Sequence, residues 1–206
     1  MESDPKPRGR GRPARSPEQI ADMQAHISAC ALRLFQDEGY EAVSMRRLAQ
    51  EAGCTTMTLY KYFENKIDIL RFLWAEVFAE LFDGLGKQAA EEDDPVARLT
   101  LIATGYVSYW LDHRDHYFMV FMSGGVSQAD VVGFVSDSET LARFDLLRTS
   151  LHAALGEVEA EALRIKSELL LCMLNGIAHN LITIPGYPWS DPGKLVDQAI
   201  SGLLAT

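Results

Sequence analysis

Apolar residues recur at spacings of three and four along nearly the whole chain, and no run of β-branched residues alternates at a spacing of two between turn residues. Spacings of three and four lay side chains along one face of an α-helix, whereas a half-buried strand needs a period of two. The sequence therefore predicts an all-α protein. With 206 residues, 48% hydrophobic and 23% charged, the chain can bury one large core or two small ones and keep a polar surface.

Start and stop signals divide the pattern into elements. Ser16-Pro17-Glu18-Gln19 is a capping box with proline at the first helical position, opening a helix whose stripe reads Ile20, Met23, Ile27, Cys30, Leu34 and which Gly39 stops. Ser44 caps a short helix with Met45, Leu48, Ala49 and Ala52 facing inward, ended by Gly53. Thr55 caps another, with Leu59 and Phe63 one turn apart. Asn65 caps a fourth, from Lys66 to about Leu85, with Gly84 and Gly86 as its stop. Beyond the charged break Glu91-Glu92-Asp93-Asp94-Pro95, further helices are expected over about 95–112, 114–123, 138–155, 158–183 and 192–205, with Ser123 to Gly133 a glycine-bearing loop and Pro185-Gly186-Tyr187-Pro188 a turn.

Ala49-Gln50-Glu51-Ala52-Gly53-Cys54 supplies what two helices crossing at a tight turn require: a small residue at the contact and a glycine free to take positive φ. In the next helix, burying Leu59 and Phe63 leaves Thr56, Met57, Tyr60 and Lys61 on the opposite face. Hydroxyls and a cation there suit a DNA major groove, and an ordinary amphipathic helix with a polar face is the alternative.

The stretch Gly39-Tyr40-Glu41-Ala42-Val43-Ser44-Met45-Arg46-Arg47-Leu48-Ala49 through Gly53, followed by Thr58-Leu59-Tyr60-Lys61-Tyr62-Phe63-Glu64-Asn65-Lys66, resembles the TetR family of bacterial regulators over about residues 20–70. That resemblance implies a three-helix, helix-turn-helix DNA-binding domain over 16–66, preceded by a flexible basic arm at 1–15. A helical ligand-binding and dimerisation domain over 67–206 would follow. It further implies a sequence-specific transcriptional regulator, usually a repressor released from a palindromic operator in double-stranded DNA by a small-molecule effector. Carried over by position, it places Ser44 and Tyr60 on phosphates, Thr56 and Lys61 at or near base edges, Tyr62 on the backbone and Lys66 on a phosphate at the N-terminus of the fourth helix. Arg46, Thr55, Met57 and Thr58 belong to the same DNA-facing set. The position after Arg46 is often acidic in relatives and is Arg47 here, which either adds a backbone contact or pairs with an acid such as Glu51.

Charge is unevenly spread. Residues 1–66 carry 10 Lys and Arg against 9 Asp and Glu, a balance of +1, while 67–206 carry 9 against 20, a balance of −11. An acidic body repels phosphate and leaves the basic end to approach DNA. Within the arm, Arg8-Gly9-Arg10-Gly11-Arg12-Pro13 has an Arg-Gly-Arg-Pro core similar to an AT-hook, in which Arg10 and Arg12 would enter a narrow minor groove; a merely basic tail is the alternative.

In the second half, Tyr106, Tyr109, Trp110, His113, Tyr117, Phe118, Phe121 and Met122 gather around a helix junction. They form either plain core or a mostly apolar pocket. The family resemblance favours a pocket completed by Phe144, Met173 and Ile177, for a bulky apolar or aromatic effector with no cation clamp. Leu170, Met173, Leu174, Ile177 and Leu181 exceed one face of a lone helix, so a homodimer through the last two helices is expected, with intramolecular core as the alternative. His113 and His116 lack further ligands for a metal, and Cys30, Cys54 and Cys172 are odd in number and far apart. No cofactor is expected. P-loop, GxSxG and HExxH motifs are absent, so enzyme activity is not expected. Lacking a secretory core or a clean span of about 20 apolar residues, the sequence is expected to be cytoplasmic. A helical protein-interaction module, or an architectural binder of AT-rich DNA without an effector, is the competing function.

Overall fold

The computed structural model describes residues 16–135 and 138–205, and among these every regular element is helical. The order is α1 (Pro17–Glu38), α2 (Met45–Glu51), α3 (Thr56–Leu59), α4 (Lys66–Ala89), α5 (Pro95–Asp112), α6 (Arg114–Phe121), α7 (Gln128–Val135), α8 (Ser138–Leu155), α9 (Ala160–Thr183) and α10 (Pro192–Leu204). Side-chain caps set most of the starts. The Ser16 hydroxyl accepts from Gln19 N–H while the Gln19 side chain accepts from Ser16 N–H, and Asn65, Asp94 and Asp191 accept at the starts of α4, α5 and α10.

Helices α1 to α3 pack together and onto the first turns of α4 through Ile27, Ala31, Leu48, Leu59, Ile69 and Leu70, all buried. Helices α4, α5, α8 and α9 form the body, with α10 lying against α5 and α9. The body is centred on Tyr106 and Trp110, which are almost fully enclosed. Helix α4 runs through both regions, so the body's packing fixes the direction from which α1 to α3 are held.

Three expectations are corrected. Ile20 is 41% exposed, because burial on α1 begins only at Ile27, where α2 and α4 cover it. Helix α4 does not stop at Gly84 and Gly86 but continues to Ala89: neither glycine takes positive φ, and Leu85 and Ala89 are buried in the body. That burial outweighs a glycine's cost of about 0.5–1 kcal/mol within a helix. The segment read as a loop from Ser123 to Gly133 contains α7. The Ser127 hydroxyl donates to Asp130 Oδ2 at 2.6 Å and accepts from Asp130 N–H at 3.2 Å, a reciprocal cap whose Ser-x-x-Asp signal is present in the sequence.

Among the described residues no helix is long and apolar enough to cross a membrane. No group of three or more His, Cys, Asp or Glu there is placed to hold a metal ion.

Candidate nucleic-acid interface and effector cavity

Helices α2 and α3 meet at a turn built by Gly53, whose φ of +63° only glycine adopts at little cost, and Cys54 N–H donates to Ala49 C=O at 2.9 Å. Leu48, Ala49 and Leu59 are buried between the helices, fixing their crossing. Ser44 Oγ accepts from Arg47 N–H and Thr55 Oγ1 from Thr58 N–H, so both hydroxyls serve first as caps. Thr55 and Thr58 are further joined by a 2.9 Å bond between their hydroxyls.

The outer surface of this pair carries Met57 at 78% exposure and Tyr60 at 50%, with Arg46 and Lys61 also exposed and Thr56 half-buried beside them. Neither Arg46 nor Lys61 makes an ion pair within the chain among the described residues. Tyr62 is half-buried and packed on the core, so its ring supports the surface from behind. Arg47 resolves toward pairing: its guanidinium meets Glu51 at 2.9 Å and Glu38 at 3.0 Å, clasping α2 to the end of α1.

Lys66 departs from its expected place on a phosphate. Its ammonium turns inward, donating to Tyr40 C=O at 2.6 Å and Glu41 C=O at 3.3 Å, and lies 4.2 Å from the centre of the Tyr40 ring. Burial pulls its pKa below the ordinary lysine value, with Glu41 acting the other way. The two carbonyls hold the cation more closely than an open helix start would. Arg10 and Arg12 lie outside the described residues.

The body contains a cavity of about 380 Å³ that is partly open to solvent. Its wall comprises Trp74 and Phe78 from α4, Tyr106 from α5, Val120 and Phe121 from α6, Val131 and Phe134 from α7, Leu141 and Phe144 from α8, and Leu171 and Asn175 from α9. Among the described residues no charged side chain lines it. The polar features are Tyr106 OH, donating to Asn175 Oδ1 at 2.7 Å, and Trp74 Nε1, committed to Met119 C=O at 3.2 Å. Burial pushes the Tyr106 pKa up, so the hydroxyl stays protonated and remains a donor.

Of the residues expected to form a pocket, Tyr106, Phe121 and Phe144 line it. Trp110 does not: it is fully buried in the core, edge-on to Phe78 and Phe121. Tyr109 stacks on His113 and bonds His116 Nδ1 at 3.0 Å, and Tyr117 bonds His179 Nδ1 at 2.7 Å, so these rings with His113 hold helices together instead. Phe118 and Met122 point away, into a separate cleft beside Phe35, Gln36 and Tyr40. Met173 and Ile177 pack half-buried against the core outside the cavity wall. Trp74 and Phe78 lie on α4, outside the residues expected to form the pocket, and Val131 lies within the segment expected to be a loop, with Phe134 just beyond its end; the four- and three-residue spacings of these pairs are the signal the sequence carries.

Two capped helices crossing at a positive-φ glycine and presenting an exposed polar and cationic surface define a helix-turn-helix DNA-binding protein. Residues 27–72 match the family model of bacterial regulatory proteins, tetR family, and over this stretch the chain is similar to transcriptional regulators of that family. It is similar to the HTH-type transcriptional regulator HbdR of Aromatoleum sp. (strain CIB), 26% identical over 91% of this chain and 80% of that protein. The HTH-type transcriptional repressor KstR of Rhodococcus jostii (strain RHA1) is 36% identical over 39% of this chain, a match spanning only 37% of that relative. The fold is shared with the transcriptional regulator FadR from Bacillus subtilis, solved in complex with stearoyl-CoA. That likeness has a TM-score of 0.70 at 17% identity and covers 88% of this chain and 97% of that one.

Proposed function

We propose that this chain is a repressor that binds a palindromic operator as a homodimer through α9 and α10 and is released by a small, uncharged, largely apolar effector. Residues 16–66 would form the reading head and 67–206 the effector and dimer body. On the head, Met57, Tyr60, Lys61, Arg46 and Thr56 face the DNA, with Ser44, Thr55, Thr58 and Tyr62 holding that surface in shape. The observation carrying the proposal is that α4 supplies two walls of the cavity, Trp74 and Phe78, and at its other end packs Ile69 and Leu70 against the reading head. One rigid helix therefore belongs to both sites, and an occupant favouring a different helix direction would alter the spacing of the two reading heads. That spacing must match a DNA repeat of about 34–36 Å or a multiple.

The effector's neutrality follows from the wall. An ionised group inside a cavity whose described lining holds no cation would lose its hydration uncompensated, whereas one hydroxyl or carbonyl can be met by Asn175 and Tyr106. The stearoyl-CoA of the FadR complex shows what that protein holds; here an acyl chain could enter but its phosphates could not.

In-vitro selection of operators with the full chain is the test. A palindrome is expected. Tyr60→Ala should abolish binding to it while leaving melting and dimerisation unchanged, and a matched series of dodecanol, dodecanoate and dodecanoyl-CoA should release DNA most effectively with the neutral member. Recovery of no sequence would instead indicate a protein-interaction module, and AT-rich DNA without a palindrome an architectural binder using the arm.

A further inference from the structure

Helices α7 and α4 both line the cavity and touch one another beside it. On one face Phe134 lies edge-on to Trp74 with ring centres 5.2 Å apart and stacks on Phe78 at 5.9 Å, and Val131 lines the cavity beside it. On the other, Arg71 of α4 reaches along the start of α7: its Nε donates to Asp130 C=O at 3.3 Å and its Nη2 to Asp130 Oδ1 at 3.2 Å. The remaining oxygen, Oδ2, is held by Ser127. A guanidinium that grips a carbonyl and a carboxylate at once fixes orientation as well as distance, which a single-point ammonium could not do. The close fit extends to Gly133, where a Cβ would come within 3.1 Å of Arg71 Nη2.

Two further contacts carry this joint to the reading head. Arg71 lies five residues from Lys66, whose ammonium is bound to the Tyr40 and Glu41 carbonyls ahead of α2. The side chain of Glu41 packs against Gly125, in the loop that leads into α7; positive φ and the absence of a side chain at Gly125 both make that approach available. Asp68, one turn earlier on α4, lies 3.6 Å from Arg71 Nη1 and offers the guanidinium another partner when α7 moves away. The cation thus has two carboxylate partners, Asp130 on α7 and Asp68 on α4, the helix that carries the head.

We infer that α7 is the wall that senses cavity occupancy and that Arg71 is the positioning residue through which its movement passes to α4 and the reading head. An occupant entering between Phe134 and the Trp74–Phe78 face displaces α7, loosens the grip on Asp130 and shifts Arg71 toward Asp68. This rests on the cavity being the effector site, and the experiment separates the two ideas.

The full chain is titrated with its selected operator, with and without saturating N-phenyl-1-naphthylamine, a neutral apolar fluorophore whose emission reports cavity binding. In the parent protein the probe should weaken operator binding by about fivefold or more, within the usual range of allosteric coupling. Arg71→Gln and Asp130→Asn should each bring that factor to about twofold or less, and the double variant should lose no more than either single one, as expected for one shared interaction. Probe affinity and melting temperature should stay near the parent values, while probe-free operator affinity should fall toward the probe-bound value because each variant removes the grip that the occupant loosens, a split that a merely structural role for the pair would not give. Unchanged coupling in the single variants, or additive losses in the double, would overturn the role of Arg71 while leaving the cavity intact. Probe binding that is insensitive to Leu141→Trp, or that leaves operator affinity of the parent unchanged, would remove the effector site and this inference with it.

Discussion

At the residue scale, two lysines near the reading head have different fates, and the difference is measurable. Lys61 is exposed and free of ion pairs among the described residues, whereas the Lys66 ammonium is bound to two carbonyls from a turn 25 and 26 residues away in sequence. Replacing Lys66 by Gln should destabilise the fold by about 1 kcal/mol, below the 1.5–3 typical of charged hydrogen bonds because the site is only half-enclosed. It should leave the salt dependence of DNA binding unchanged. Lys61→Gln should do the opposite, keeping stability and lowering the salt slope by about one released counterion. Urea unfolding together with operator titrations at several salt concentrations reads both effects. A lysine at a helix start next to a reading helix is compatible with phosphate binding; only the fold brings the carbonyls of Tyr40 and Glu41 against it. The exposed set of Met57, Tyr60 and Lys61 was legible because it follows directly from burying Leu59 and Phe63 on the opposite side of one helix.

At the scale of elements, caps were more readable than stops. Ser16, Ser44, Thr55 and Asn65 each accept the backbone bond that their position predicts, since a cap is a local event. Gly84 and Gly86 misled because whether glycine ends a helix depends on what its neighbours bury, and Leu85 and Ala89 are buried. Gly84 retains helical geometry with no atom within 4 Å of where a Cβ would sit. Gly84→Ala should therefore stabilise the protein by about 0.5–1 kcal/mol, seen as a higher urea midpoint with an unchanged slope. A loss of stability would show that α4 needs a flexible point there. The cavity was only partly legible for a related reason. Tyr106, Phe121 and Phe144 are aromatic and line it, but Trp110, as aromatic as any of them, fills the core behind it. Composition gives the material of a pocket, while the boundary between wall and filling is set by helix directions. Overlooking α7 removed Val131 and Phe134, and with them the side of the cavity nearest Arg71.

For the whole molecule, an acidic body with a basic end implies that DNA is approached in one orientation, and that residues 1–15, with Lys6 and four arginines, add to attraction. Removing them should weaken operator binding and flatten its salt dependence, measured by anisotropy across a salt series; equal affinity and slope would exclude a contribution. The dimer is the larger question. Leu170 and Leu174, expected to help build it, are instead fully buried within the chain, forming one stripe of α9 with Leu163, Ala178 and Ile182. A second stripe is left outside: Ile165 at 51% exposure, Leu169 at 48% and exposed Cys172, at helical spacing on the face away from α5 and α8. A second copy meeting this stripe about a two-fold axis would extend the body into the expected bundle, with the Arg164 pairs to Glu161 and Glu168 at its edge. Leu169→Glu places a charge in that contact without disturbing the inner stripe. It should halve the mass seen by sedimentation at micromolar concentration and keep the helical signal, because Leu169 carries no intrachain core. Operator affinity should fall by about 100-fold or more, since each reading head must then bind its half-site alone. A variant that stays dimeric would move the interface off this face of α9, and a monomer that still binds the full palindrome tightly would separate dimerisation from DNA reading altogether.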